Sequence, residues 1–249
     1  MPRYKALIKY DGSEFFGWQV QPEKRTVQGE LEKVVNMMAR NPDQWIRVQG
    51  SGRTDTGVHA LAQVAHFDFP FDVPTEGLRK GMSSKLPFDV TVTAVEKVSD
   101  DFHAQYSAHD KTYWYRFSTA EFKDPFKHKY TGHWHRKLDV DKMTAAIGDY
   151  VGEHDWVSFA ASGFQAKTTV RTVYSAKMSV HPEDEEIWFE FSGSGFLYNQ
   201  VRIMVGVLLE IGNGVRPVDD IQRLFTVKDR QEARFTAPAS GLYLKSVDY

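Results

Sequence analysis

The chain has 249 residues, enough for one large domain or two of ordinary size. Its 41% hydrophobic and 14% aromatic content excludes a disordered chain, and the lack of cysteine excludes disulfides and thiolate-held metals, as expected of a reducing compartment. The formal net charge of −2 gives no global attraction to nucleic acid, so any basic surface must be local. Residues Met1 to Tyr10 lack the apolar core of a secretory signal. No apolar run nears the roughly 18 residues of a membrane span. A cytoplasmic protein is therefore expected.

Tyr4, Ala6, Ile8 and Tyr10 alternate with Lys5, Leu7 and Lys9, which predicts a first strand. Asp11-Gly12-Ser13 turns the chain into a loop holding Phe15, Phe16 and Trp18. Thr26 is placed to cap a helix whose Val27, Leu31, Val34, Val35 and Met38 form one stripe, with Asn41-Pro42 ending it. Strands are expected over Trp45 to Val48 and Gln63 to Phe69. Pro74-Thr75 opens a second helix carrying Leu78, Met82 and Leu86, and the β-branched run Val90 to Val98 closes the half as a strand.

The second half repeats that order. Tyr113, Tyr115 and Phe117 alternate with Thr112, Trp114 and Arg116 in a strand. Asp139 caps a helix with Met143, Ile147 and Tyr150 on one side, stopped by Gly152. A strand with Tyr174, Ala176, Met178 and Val180 turns at Pro182-Glu183-Asp184-Glu185 into Ile187, Phe189 and Phe191. A helix from Leu197 to Gly212, a short one from Pro217 to Phe225 and a strand from Gly241 to Val247 complete the chain. The expected class is α+β: two ferredoxin-like β-α-β-β-α-β units, residues 1–103 and 104–249. Their antiparallel sheets would join edge to edge, with helices on one side and a broad cleft on the other.

Between the strands at Trp45 and Gln63 runs Gln49-Gly50-Ser51-Gly52-Arg53-Thr54-Asp55-Thr56-Gly57-Val58-His59-Ala60. More than a dozen residues are more than a reversal needs, and loops of that length are functional or disordered. Hydrophobic flanks argue against disorder. By itself, an Asp among glycines is a turn residue that bonds its own backbone.

The motifs taken together decide otherwise. Gly52-Arg53-Thr54-Asp55-Thr56-Gly57-Val58-His59 resembles the catalytic loop of the TruA family of tRNA pseudouridine synthases. Tyr10-Asp11-Gly12-Ser13, Gly17-Trp18-Gln19 and Thr26-Val27-Gln28 are similar to that family's opening motif. Asp101-Phe102-His103-Ala104, Ser107-Ala108 and Lys111-Thr112-Tyr113-Trp114-Tyr115 resemble its central strand. Phe196-Leu197-Tyr198-Asn199-Gln200-Val201-Arg202, Val205-Gly206 and Ala239-Ser240-Gly241-Leu242-Tyr243-Leu244 match its C-terminal part.

The resemblance implies the pseudouridine synthase fold, with RNA in the cleft. It also implies isomerisation of uridine to pseudouridine in the anticodon stem-loop of tRNA, at positions 38, 39 and 40. The family's nucleophilic carboxylate falls on Asp55, its basic partners on Arg53 and Arg202, its active-site tyrosine on Tyr113 and an apolar residue beside the site on Leu197. An ionised carboxylate is a legitimate nucleophile, and a guanidinium beside it favours the charged form. A phenol can stack on a base extruded from the stem, and Tyr113, Leu197 and Arg53 would bind that substrate. No metal, nucleotide or redox cofactor is implied; a homodimer is. Ile203, where the family often has asparagine, and Trp114, between the two tyrosines, depart from the pattern without touching a residue assigned to the chemistry.

Candidate RNA contacts are Arg25, Arg79, Lys80, Lys85, Lys123, Lys127, Lys129 and Lys167. Two rivals belong to other classes. A metal hydrolase could use His133 and His135 with His128, but no carboxylate stands at ligand spacing and Trp134 and Arg136 surround the pair. A non-catalytic RNA-binding sheet of the RRM kind would lack its Gly-Phe/Phe signature in the central strands and would leave the Asp55 loop without purpose.

Overall fold

The alternating N-terminus forms β1 (Arg3–Tyr10), with Tyr4, Ala6, Ile8 and Tyr10 on its buried face. The computed structural model describes residues 1–249 except 41–43, 135, 162 and 164–166. Helix α1 (Val27–Ala39) is capped by Thr26, whose hydroxyl accepts from the Gly29 N–H, and the chain leaves it at Arg40 in a left-handed conformation (φ 50°). The stop expected at Asn41-Pro42 lies outside the described residues.

Trp45 to Val48 is not a strand. It runs beside α1, whose side chains satisfy its backbone. Asn36 Oδ1 accepts from Ile46 N (2.8 Å) and Asn36 Nδ2 donates to Ile46 O (3.0 Å). Glu32 Oε1 accepts from Val48 N (3.1 Å), and Gln28 Nε2 donates to Val48 O (3.0 Å). Residues 28, 32 and 36 stand one above another on one face, so the helix supplies what a neighbouring strand would have supplied. Pairing begins only at β2 (Gln49–Gly50), which is antiparallel to β3 (His59–Asp68). Because β3 starts at His59 rather than Gln63, the connection carrying Asp55 is residues 51–58, shorter than the sequence suggested.

Helix α2 (Thr75–Ser83) buries Leu78 and Met82, and β4 (Val90–Val98) follows as expected. Leu86 lies beyond the helix end. β1 runs antiparallel to β3 on one side and β4 on the other.

The chain divides into two units: unit 1 is Met1–His109 with Tyr243–Tyr249, and unit 2 is Asp110–Leu242. Unit 2 opens with β5 (Asp110–Ser118), which buries Tyr113, Tyr115 and Phe117 on one face. A two-residue strand, β6 (Gly132–His133), pairs parallel with it. Asp139 caps α3 (Val140–Ile147) by accepting from Lys142 N. The helix tightens into a single 3-10 turn through Tyr150, and Gly152 (φ +123°) starts a strand absent from the sequence reading, β7 (Gly152–Asp155). β8 (Val170–His181) and β9 (Glu186–Gly193) form the expected hairpin, giving the antiparallel order β5-β9-β8-β7.

Helix α4 (Gln200–Gly212) begins three residues later than expected, because Asn199 takes the left-handed conformation (φ 60°). It is buried along almost its whole length. Two short helices follow, α5 (Asp220–Val227) and α6 (Arg230–Ala233), the second not foreseen. Arg216 ties this region together. Its Nε donates to Glu210 (2.5 Å), Nη1 to Asp220 (2.5 Å) and Nη2 to the Glu232 carbonyl (2.7 Å).

The last strand, β10 (Leu242–Asp248), returns to unit 1. It runs parallel to β3 with Tyr243 opposite His59 and Leu244 opposite Ala60. The His59 imidazole stacks on the Tyr243 ring (4.7 Å, 22°). Tyr249 OH donates to Ala104 O (2.7 Å), and His109 N donates to Asp248 O (2.8 Å). Among the described residues, no helix is long and apolar enough to cross a membrane.

Candidate active site

In unit 1 the loop of residues 51–58 is held along its whole length. Ser51 N donates to Val64 O (2.7 Å) and Gln63 Nε2 to Gly52 O (3.0 Å). Trp18 N donates to Thr54 O (3.0 Å), and Gly57 N to Phe15 O (3.3 Å). The closeness of the opening motif explains its glycines. A Cβ at Gly17, already at φ +81°, would stand 2.5 Å from the Thr54 carbonyl, and one at Gly12 would collide with the Val58 carbonyl. Gly12 N also lies 3.0 Å from His59 Nδ1, which stands 3.2 Å from the Asp11 carboxylate. The opening motif and the Asp55 loop are thus two sides of one packed contact.

Asp55 does start a turn, as the simplest reading of an Asp among glycines requires. Val58 N donates to Asp55 O (3.1 Å), with Gly57 at φ +79° in the third position, where a type II turn needs glycine. The bond that closes the turn joins backbone atoms. The neighbours of Asp55 on either side differ sharply in setting: Thr54 is buried, whereas Asp55 is half-buried and Arg53 and Thr56 are exposed. The loop therefore anchors one residue and presents those around it.

In unit 2, Tyr113 and Tyr115 share the inner face of β5 but differ in use. Tyr115 is fully buried and donates its hydroxyl to Pro238 O (2.8 Å). Burial pushes its phenol well above the usual value, against the pull of the Arg202 charge. Tyr113 keeps 8% of its surface exposed and meets Phe196 edge to face (5.3 Å, 82°). Leu197 is buried in the turn before α4, its N–H donating to Gln200 Oε1 (2.8 Å). Arg202, in the first turn of α4, is half-buried. Its Nε donates to Ala237 O (2.8 Å) and its Nη1 to Asn199 Oδ1 (2.7 Å). The left-handed Asn199 that delays the helix is the residue that aims the guanidinium. Asn199 and Ala237 escaped the sequence reading as supports, although Asn199 lay within a quoted motif.

The structure places Arg53 and Asp55 on one loop of unit 1, and Tyr113, Leu197 and Arg202 in unit 2. The basic residues fall into two groups. Arg25 is committed to Asp89 (2.7 and 2.9 Å) and lies over the Phe15 ring (4.1 Å). Arg79 and Lys80 share Glu76, and Lys127 reaches Glu186 (3.3 Å). Lys85, Lys123, Lys129 and Lys167 are exposed. Of the histidines weighed as metal ligands, His128 Nδ1 donates to Pro125 O (2.7 Å) and His133 Nε2 to Ala120 O (2.9 Å). His135 lies outside the described residues. Among the described residues, no group of three or more His, Cys, Asp or Glu could hold a metal ion.

The family profile described as tRNA pseudouridine synthase matches residues 6–107 and 146–249. The chain belongs to the tRNA pseudouridine synthase family. It is an enzyme, an isomerase, and its α+β architecture is the fold of that family. The tRNA pseudouridine synthase A of Leuconostoc mesenteroides is 61% identical over 254 residues, covering 100% of both chains. That of Leuconostoc citreum is 59% identical over 100% of this chain and 98% of its own length. That of Levilactobacillus brevis is 56% identical over 100% and 94% respectively. Arg53 and Asp55 lie in the first span matched to the tRNA pseudouridine synthase profile and Leu197 and Arg202 in the second, with Tyr113 in the stretch between.

Proposed function

We propose that this tRNA pseudouridine synthase isomerises uridines of the anticodon stem-loop, at positions 38, 39 and 40, with Asp55 as the nucleophile. In this reading residues 1–103 supply the carboxylate and Arg53, and residues 104–249 supply Tyr113, Leu197 and Arg202. The observation that carries it is the Asp55 loop, whose backbone is fixed on both sides of the half-buried carboxylate by Trp18 N to Thr54 O and Gly57 N to Phe15 O. A base inside a stem is reached only by extrusion, which unstacking makes costly by a few kcal/mol. Stacking on Tyr113 and the apolar side of Leu197 would offset that cost, while Arg53 and Arg202 hold the carboxylate ionised. The isomerisation breaks the N1–C1′ bond and forms C5–C1′. A proton leaves C5 and one is gained at N1, so mass is unchanged.

Carbodiimide mapping of tRNA transcripts incubated with the enzyme tests the position. Modification is expected at uridines 38, 39 and 40 and should vanish when those are cytidines; a signal elsewhere in the tRNA would overturn the assignment. We further propose a cytoplasmic homodimer. Light scattering at micromolar concentration should return twice the 28.5 kDa chain mass, and a monomer mass removes the dimer.

Tyr113→Phe keeps the ring against Phe196 but removes the hydroxyl. Loss of a positioned proton-transfer group is worth about 10²-fold or more, so kcat should fall by that factor with tRNA affinity unchanged within about twofold. Single-turnover rates and filter binding separate the two. A normal rate would leave only the ring with a role.

A further inference from the structure

We infer that Tyr10, with Thr54, Gln63 and Ser51, is the positioning device for the Asp55 carboxylate, which sets the site before any RNA arrives. The inference rests on the reading of Asp55 as nucleophile. Tyr10 is the last residue of β1, and the pairing of β1 with β3 slips between Ile8 and Tyr10, so that Tyr10 stands opposite Ala60. Irregularities of this kind re-aim a side chain beside an active site. Here the slip brings the Tyr10 hydroxyl within 2.7 Å of Thr54 Oγ1, across 44 positions of sequence.

The partners of that hydroxyl belong to a network that reaches on through Ser51 to Tyr249. Ser51 Oγ donates to Gln63 Oε1 (2.7 Å), which fixes the orientation of the amide. Gln63 Nε2 then faces the Gly52 carbonyl (3.0 Å) and the Tyr10 oxygen. Tyr10, Ser51, Thr54 and Gln63 are all buried. Burial raises the Tyr10 phenol well above its usual value, and the nearby Asp55 charge raises it further, so the hydroxyl keeps its proton throughout the working range.

Thr54 is therefore held by its hydroxyl from Tyr10 and by its carbonyl from Trp18 N (3.0 Å). Asp55 is the next residue. Buried polar groups that are fully satisfied fix a single arrangement, whereas a half-satisfied network is costly and loose. A packed apolar contact would have been cheaper if only stability were needed, since a buried tyrosine hydroxyl requires partners and a phenylalanine does not. Displacement of a reacting group by about 1 Å costs on the order of 10²-fold in rate, and that is the effect assigned to this network.

The test compares Tyr10→Phe, Thr54→Val, Thr54→Ser and the Tyr10→Phe/Thr54→Val double variant, each measured as folded protein beside Asp55→Asn. Tyr10→Phe should lower kcat by about 10- to 100-fold with KM and tRNA affinity within about twofold. Thr54→Ser should restore most of what Thr54→Val loses, and the double variant should be no worse than the poorer single one. A packing role alone would lower the melting temperature and leave kcat per folded molecule intact. If Asp55→Asn is inactive while Tyr10→Phe turns over normally, this inference fails and the nucleophile stands. If Asp55→Asn is itself active, the reading beneath it fails. Should Tyr10→Phe not fold, the Thr54→Val and Thr54→Ser pair decides: equal kcat in both overturns the inference.

Discussion

Asp55→Asn is expected to fold normally and to make no detectable pseudouridine. The substitution keeps the size of the side chain and disturbs none of the backbone bonds that fix the loop: Trp18 N to Thr54 O, Val58 N to Asp55 O and Gly57 N to Phe15 O. The turn would survive, since Asn serves there as well as Asp. What is lost is the negative oxygen. Removing the nucleophile of a covalent mechanism costs at least about 10⁴-fold in turnover, which places the variant in the background of a single-turnover assay. Under the proposed assignment two opposing effects act on stability: a half-buried carboxylate no longer needs its charge supported, and the arginines proposed to face it lose a counter-charge. The net change should stay within about 1 kcal/mol in a thermal melt. A folded Asn variant that makes pseudouridine at the normal rate would refute the assignment.

Arg216→Met should have the largest effect on stability. The guanidinium is nearly buried between Glu210, Asp220 and the Glu232 carbonyl. Removing one partner of a buried ion pair costs about 3–5 kcal/mol, because the remaining charges are left uncompensated. For a chain of this size that corresponds to a drop of roughly 10 °C in melting temperature. Neutralising the carboxylates as well, with Glu210→Gln and Asp220→Asn, should recover part of the loss, since the three changes share one network. The deficit should also depend on pH. Burial would raise the Asp220 carboxyl, but its bonds to Arg223 and Arg216 outweigh burial and hold it below 3.8. A carboxyl depressed in the folded state stabilises fully above its unfolded value and loses that contribution as pH falls through the folded one. The gap between wild type and Arg216→Met should therefore be widest near neutrality and narrow below about pH 4. Equal melting temperatures at pH 7 would mean that the network is ornamental.

Alternation and capping carried most of the fold. Tyr4 to Tyr10 and Tyr113 to Phe117 show a strand's period, and Thr26 and Asp139 cap the helices they precede. The misread strand at Trp45 comes from side chains that replace backbone partners. Gln28, Glu32 and Asn36 look like the solvated face of α1, yet Glu32 is 2% exposed and the three bind Ile46 and Val48. Nothing local in Trp45 to Val48 reveals that. β7, Gly152-Glu153-His154-Asp155, has no apolar alternation to detect, and its pairing with β8 comes from tertiary context. The early start given to α4 followed the apolar Leu197, because a pattern of hydrophobicity cannot show a left-handed Asn199. Asp55, Tyr113 and Arg202 stand as candidates through motifs alone, which no hydrophobic pattern would have singled out. Tyr10 was legible only as a strand residue, because its partner Thr54 lies 44 positions away.

The discontinuity of unit 1 bears on how the protein is made. Residues 1–109 leave the ribosome first, but the strand beside β3, with the Tyr243 ring that stacks on His59, follows residues 110–242. At about 5–20 residues per second, that intervening stretch takes roughly 7 to 27 seconds to synthesise. For that interval the nascent first half has an unpaired edge along β3, at the end where the strand leaves the Asp55 loop, and such edges invite association with other chains. A chain cut short before residue 243 would lack the strand that completes the half bearing the carboxylate, so no stable half-enzyme should accumulate from interrupted synthesis.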